Sequence, residues 1–485
     1  MIEEGPTTHC HDILDQDRFD AVIVGTGLWQ SMLAAGLSIA GKSVLHCDPN
    51  EYYGGECATL PWAQFYKSLL DKGAIYSSYG EDPGQQFLFD LQPKVIFSTS
   101  NLVDDIVKSK SFHYLSFQCI NNYYTVLDGA VTAVPISKAD IFQCGFLDRS
   151  EKRRFMKLMH IALGDDTHSQ APSNSYDNEL RQRFRDLPFA LYLEELQLSK
   201  ALQDIVLYSL CFADSAELKT ADGILLVRKF IKSLGKFDSG ALLYPVYGTG
   251  DIPQAFCRLS AVNGGIYLLR SDVTAKCPKT VILSESQQAI ECDIFVDGSI
   301  ELPDSSGIKS SGVLSRCICI TTAPSKNTSS VSLIMMPPML RKHSVRVLQL
   351  DETTGCAPKG CYILYLSSIQ EENPESDLRA ALDLLVVEEH RQKTLFYSES
   401  LHSNLIQVPE VLTSTIESGF SMDMDHKAEI ARALFSRYCP GSHFLQKSPD
   451  QLPDVDLRNN PEFNEITVDA DNSFDNDHCS EPYPE

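Results

Sequence analysis

The sequence predicts an α/β fold: a doubly wound sheet of degenerate Rossmann type, with additional β-strands and an inserted all-helical domain. Three observations predict it. A β-branched run, a glycine turn and an apolar helix open the chain as one β-α-β unit. Helical periodicity dominates from residue 138 to 235. Short β-branched runs return after it.

Phe19 to Val24 is apolar and β-branched, as in a strand buried on both faces. Gly25-Thr26-Gly27 supplies a tight turn. Leu28 to Ala40 places Met32, Leu33, Ala35, Gly36 and Ile39 at helical spacing, and Gly41 stops the helix. Ser43 to Cys47 reads as the second strand, with Asp48 at its end. Phe87 to Phe97 and Tyr123 to Val134 read as further strands. Helices are expected from Ser150, from Leu191 to Leu210 and from Ala221 to Leu234, with a polar loop at Asp165 to Asn178. Strands resume at Val273 to Leu283, Ile290 to Val296, Cys317 to Thr321, Val331 to Met335, Val345 to Leu350 and Tyr362 to Leu366. Asp377 to Gln392 reads as a long helix. The expected domains are a discontinuous α/β domain (17–137 and 236–446), a helical domain (138–235) and a tail (447–485). The tail carries 11 acidic and 2 basic residues, the composition of a disordered segment.

The 485 residues hold 41 Lys+Arg against 65 Asp+Glu, a net charge of -24. That balance excludes a nucleic-acid binder with a basic face and a general attraction to anionic lipid. No apolar run approaches the roughly 20 residues of a membrane span. Met1 to Asp20 lacks the apolar stretch of a signal peptide, so a cytosolic location is expected. Fifteen cysteines show no CxxC pair, Cys317/Cys319 and Cys356/Cys361 being nearest, and read as reduced thiols. No nucleophile elbow, P-loop or HExxH set is present, and His46 fits a core position. No catalytic residue and no metal ligand is assigned.

Three regions could carry a site. Gly25-x-Gly27 with Asp48 has the beginnings of a dinucleotide fingerprint, in which glycines admit a pyrophosphate and the acid binds a ribose hydroxyl. Gln30 stands where the third glycine belongs, so the motif is either a cofactor site or a relic of the fold. Tyr52-Tyr53-Gly54-Gly55-Glu56 and Tyr244 to Gln254, continuing to Tyr267, mix aromatics, glycines and charge. They are either turn punctuation around core aromatics or a rigid binding platform. Asp251 and Arg258 are seven apart, two turns along one helix face.

Phe19 to Leu28 with Val44-Leu45-His46 and Tyr52 to Gly55 resembles the opening of the Rab GDP-dissociation inhibitor and Rab escort superfamily. Leu243 to Leu268 is similar to its second signature, and the likeness covers about residues 17 to 440. Val134-Pro135-Ile136-Ser137-Lys138-Ala139-Asp140-Ile141-Phe142 and Gly265 to Arg270 resemble the escort branch, as do the acidic tail and the inserted stretch Ser284 to Lys309. Gly55-Glu56-Cys57-Ala58 is nearer the inhibitor branch, which stays open as the alternative.

The resemblance implies a flavoprotein-like sheet without bound flavin, so no cofactor is expected, a flavin oxidoreductase being the remote alternative. It implies a non-catalytic partner for GDP-bound Rab GTPases and for the geranylgeranyl transferase α/β heterodimer. It further implies shielding of the geranylgeranyl group and passing contact with membranes. The Rab platform falls on Tyr53, Tyr247, Asp251, Arg258 and Leu268, with Asp251 where the family has Glu. The lipid groove falls on Leu202, Ile205, Val206, Leu210 and Phe212, which a helix-bundle core explains equally well. Transferase docking falls on Phe155, Leu158 and Met159, or that face is core.

Overall fold

The computed structural model describes residues 14–164, 175–277, 279–297, 312–338, 341–401 and 422–446. Most of the polar loop at Asp165 to Asn178, the inserted stretch beyond residue 297 and the whole tail from 447 lie outside them.

The chain opens with β1 (Arg18–Val24), α1 (Leu28–Ile39) and β2 (Val44–Asp48), within a residue of the expected bounds. β3 (Thr59–Pro61), α2 (Trp62–Asp71), β4 (Ile75–Gly80), β5 (Leu88–Asp90), β6 (Ile96–Phe97) and α3 (Asn101–Lys108) follow, then β7 (Phe117–Ile120), β8 (Asn122–Leu127) and β9 (Ala130–Ala133). The helical stretch comprises α4 (Lys138–Gln143), α5 (Arg149–Leu163), α6 (Ser175–Phe184), α7 (Phe189–Glu195), α8 (Lys200–Asp204), a π-helical turn at Ile205–Leu210, and α9 (Thr220–Ser233). β10 (Leu242–Pro245), α10 (Asp251–Val262), β11 (Ile266–Leu269), β12 (Val273–Cys277), β13 (Thr280–Leu283) and β14 (Ala289–Asp297) come next. β15 (Gly312–Thr321), β16 (Ser332–Met336), β17 (Val345–Leu350), β18 (Tyr362–Ile369), α11 (Pro374–Leu385), β19 (Arg391–Leu401) and α12 (Asp425–Tyr438) close the series.

Two main sheets organise these elements. The first runs β11-β2-β1-β14-β13-β12, and β11, β2, β1 and β14 are parallel. Its β1-α1-β2 unit explains why Ala21, Val22, Ile23 and Val24 are all fully buried: α1 covers one face and a second apolar cluster the other. The second sheet runs β4-β19-β15-β18-β17-β16-β8-β9 and is antiparallel except where β16 meets β8. The helices from α5 to α9 lay apolar faces over this sheet and share one core with it, Phe155, Val206 and Phe230 packing in the same cluster as Ile320 and Tyr365.

Three expected elements differ. Phe87 to Phe97 is two strands, because Pro93 between them has no N–H for a ladder. Tyr123 to Val134 is a hairpin turning at Asp128-Gly129, both with positive φ (49° and 77°), as a two-residue turn demands. The helix expected at Asp377 to Gln392 spans Pro374–Leu385. Asn373 caps its start by accepting from Ser376 N (2.9 Å). It ends at Val386-Val387, where Val386 is extended and the chain turns into β19.

Candidate functional site

The glycine turn is occupied from within. Asp48 Oδ2 accepts from Thr26 N (2.7 Å) and Thr26 Oγ1 (2.6 Å), and Oδ1 accepts from Asn50 N (2.8 Å) and Nδ2 (2.9 Å). A carboxylate has about four acceptor sites, and all are taken by the chain itself. Thr26 Oγ1 in turn accepts from Gly54 N (3.0 Å). Gly55, at φ 54°, rests so close that a Cβ there would lie 3.2 Å from Gly27 Cα. The Gln30 side chain fills the space beside Gly27, its Oε1 2.6 Å from where a Cβ would stand. A pyrophosphate has no approach to this turn and a ribose finds no open acceptor on Asp48, so these residues do not fit a dinucleotide. What the turn holds is the loop that carries Tyr53. His46 lies beneath, its Nε2 2.5 Å from the Gly25 carbonyl oxygen, and burial pushes its pKa down to about 4. It is therefore a neutral donor rather than an acid.

The second loop hangs on Asp90, a fully buried residue at the end of β5. Its carboxylate accepts from Thr59 Oγ1 (2.6 Å), Tyr244 Oη (2.6 Å) and Thr249 N (2.9 Å). Gly248, at φ 98°, passes so near that a Cβ would fall 2.6 Å from Asp90 Oδ1 and 2.4 Å from Thr59 Oγ1. This anchorage projects Tyr247, 59% exposed and itself at positive φ, with its N–H donating to the Thr354 carbonyl (2.7 Å) and its ring against Gly355. It also sets the start of α10. Asp251, Gln254, Arg258 and Ala261 share one face of that helix; the last three are exposed and Asp251 is half-buried. Burial pushes the Asp251 carboxyl up to about 6.

The Tyr53 loop and α10 border a shallow cleft of about 280 Å³. Tyr53, Tyr114, Gln254, Cys257, Arg258, Ala261 and Tyr267 line it. The Arg258 guanidinium lies 4.5 Å from the Tyr114 ring centroid, and Tyr53 meets Tyr267 edge to face at 5.9 Å. Cys257 is no nucleophile: burial raises its thiol to about 12, and it bonds Ser31 Oγ at 3.1 Å. Of the five expected platform residues, Tyr53 and Arg258 meet in the cleft. Asp251 lies further toward the start of the same helix face, and Tyr247 projects from the neighbouring loop. Leu268 is elsewhere: alternate strand residues face opposite sides, so it packs with Phe19, Val22 and Leu45 while Tyr267 faces the cleft. Tyr114 and Asp90 come from distant segments that no local motif marks, whereas Tyr267 ends the aromatic stretch that follows Tyr244.

The helical residues lie inside. Leu202, Ile205, Val206 and Leu210 are fully buried, and Phe212 sits between Phe97 and Phe230, with ring centroids 5.8 and 6.1 Å away. Phe155 and Leu158 are fully buried and Met159 nearly so, so the expected docking side chains of α5 are turned into the core. The outward positions of that helix are Arg149, Ser150, Arg153, Lys157 and His160. Among the described residues no His, Cys, Asp or Glu cluster could hold a metal ion, and no helix is long and apolar enough to cross a membrane.

A family model described as GDP dissociation inhibitor matches residues 14–403. The chain belongs to the GDP dissociation inhibitor family. It is 28% identical to the Rab proteins geranylgeranyltransferase component A of Drosophila melanogaster, over 90% of this chain and 91% of that one. It is 27% identical to the Rab GDP dissociation inhibitor beta of Rattus norvegicus, over 76% and 83%. The crystal structure of a Rab GDI from Plasmodium falciparum superposes with a TM-score of 0.67 at 21% identity, covering 89% of this chain and 99% of that one. An oxidoreductase from Methanosarcina mazei gives 0.52 at 13% identity, covering 79% and 87%. The fold of this family member is thus the flavoprotein-like one, with a protein loop seated where the fingerprint would place a pyrophosphate.

Proposed function

We propose that this chain is a non-catalytic Rab escort protein. It binds newly made, GDP-bound Rab GTPase and presents it to the geranylgeranyl transferase α/β heterodimer. It then shields the prenylated product and delivers it to membrane from the cytosol. The observation that carries the reading is the meeting of Tyr53 and Arg258 in one open cleft, with Tyr247 projecting from the loop that precedes α10. A tyrosine gives contact area with few torsions to fix, and an arginine gives directed donors; together they make the centre of a protein-binding surface.

The near end-to-end match with the Drosophila component A supports the escort branch over the inhibitor branch. The escort-like motif at Val134 to Phe142 adds less than its length suggests. Ser137 and Asp140 form a reciprocal capping box at α4, which by itself accounts for those two residues. Glu56, in the inhibitor-like stretch, pairs with Lys427 of α12, and that ion pair holds its carboxyl below the usual range. A recycling GDP-dissociation inhibitor is the second reading.

A prenyl chain costs about 0.8 kcal/mol per exposed CH₂, so the escort must enclose it. We place that enclosure at Leu202, Ile205, Val206, Leu210 and Phe212. These side chains are packed shut, so the chain enters by parting α8, α9 and the π-turn at Ile205–Leu210; such wide turns recur where helices serve function. Transferase docking on α5 would use its outward residues.

The test is in vitro prenylation with Rab-GDP, transferase and labelled geranylgeranyl diphosphate. Label entering Rab only when this chain is present supports the escort role. No label, with extraction of prenylated Rab from membranes, makes it an inhibitor-branch protein.

A further inference from the structure

The 3-10 turn Ser111–Tyr114 follows α3 and packs against α10. It brings a ring from far along the chain to Arg258, the one cation of the cleft among the described residues. The Arg258 guanidinium sits 4.5 Å from the Tyr114 centroid, inside the roughly 6 Å range of a cation–π contact. Arg258 is exposed, and among the described residues it forms no ion pair and donates no hydrogen bond. An exposed arginine without a carboxylate partner samples many rotamers. Here the ring supplies an anchor. A guanidinium lying over a ring keeps its in-plane N–H groups unspent, so they are available to a carbonyl or carboxylate on a docked protein.

We propose that Tyr114 is a positioning residue of the cleft: its ring holds the Arg258 guanidinium in place before the partner arrives. The partner face opposite is an oxygen acceptor, a backbone carbonyl or an acidic side chain. The proposal rests on the Rab-binding reading above. Tyr114 acts through Arg258, and the hydroxyl is dispensable because the ring face makes the contact.

The experiment is fluorescence titration of GDP-loaded Rab with the full chain and five variants: Tyr114→Phe, Tyr114→Leu, Tyr114→Met, Arg258→Ala and Tyr114→Leu with Arg258→Ala. Tyr114→Phe should stay within about two-fold of the parent, and Tyr114→Leu should bind about three- to ten-fold more weakly. In the Arg258→Ala background the leucine change should cost under about two-fold, since nothing remains to position. Melting curves accompany each titration; if the leucine variant melts early, Tyr114→Met, flexible and apolar without a π face, takes its place. Equal affinity of the leucine or methionine variant and the parent overturns the proposal. So does a loss that persists undiminished without Arg258, which would make Tyr114 a direct contact. If Arg258→Ala binds like the parent, the proposal also falls. If the parent itself does not bind Rab-GDP, the Rab-binding reading fails first.

Discussion

Removing the Asp90 carboxylate should unmake the second loop, and the size of the effect follows from its partners. Asp90→Ala orphans three donors at once: Thr59 Oγ1, Tyr244 Oη and Thr249 N. A buried donor left without a partner costs about 1–3 kcal/mol. Partial repair is possible, since Tyr244 Oη also lies 3.8 Å from Cys356 Sγ, a weak acceptor. The sum is therefore about 3–6 kcal/mol, a large part of the roughly 5–15 kcal/mol that holds a typical domain. Asp90→Asn keeps the acceptor that serves Thr59 and Thr249 and spoils only the one facing Tyr244, so it should cost about 1–2 kcal/mol. Urea unfolding followed by the fluorescence of the two tryptophans, Trp29 and Trp62, both buried, reads these values. Equal midpoints for parent and alanine variant would refute the reasoning. An asparagine loss as large as the alanine loss would too, because charge, rather than acceptor count, would then be decisive.

Other outcomes follow from the same geometry. Burial lifts Asp251 from 3.8 to about 6, so between pH 4 and 6 the folded state keeps a proton that the unfolded chain has released. Its stabilising contribution is complete below pH 4 and is lost as pH rises through 6. Asp251→Asn should remove that slope from the stability–pH curve and be the more stable form at pH 7; an unchanged slope sinks the assignment. Gly223→Ala in α9 should destabilise, although alanine favours helices by about 1 kcal/mol. The new Cβ would stand 2.3 Å from the Phe189 ring, and overpacking costs about 1–3 kcal/mol, so a melting temperature at or above the parent's would contradict the packing. Leu268→Ala should lower stability by about 1–3 kcal/mol and leave Rab affinity unchanged, whereas Tyr267→Ala should weaken binding; the reverse pattern would place Leu268 in the cleft after all.

The opening β-α-β unit was legible because its signals are local: an apolar strand, two glycines and a helix that stops at a glycine. The strand β19 was not. Arg391, Lys393 and Thr394 begin it, and what makes it a strand is pairing with β15 on one side and β4 on the other. The helix α12 was missed too, although its Ala428, Ala431, Leu434 and Phe435 lie at helical spacing and cover α1. Family likeness pointed to Tyr53 and Arg258, and the structure places both in the cleft. Tyr114 and Asp90 carry no signal of their own, because each matters through a residue more than a hundred positions away. Leu268 lies outside the cleft for a simpler reason: one step along a strand reverses the face.

The loop seated on the glycine turn behaves as an occupant on a tether. A soluble dinucleotide would compete with a segment whose local concentration, set by a short link, is on the order of millimolar or higher. Thr26, Asp48 and Gly54 supply the grip. Washing, dilution and dialysis leave such an occupant in place. Only unfolding of the β1-α1-β2 unit releases it, and the Tyr53 surface would be lost in the same event.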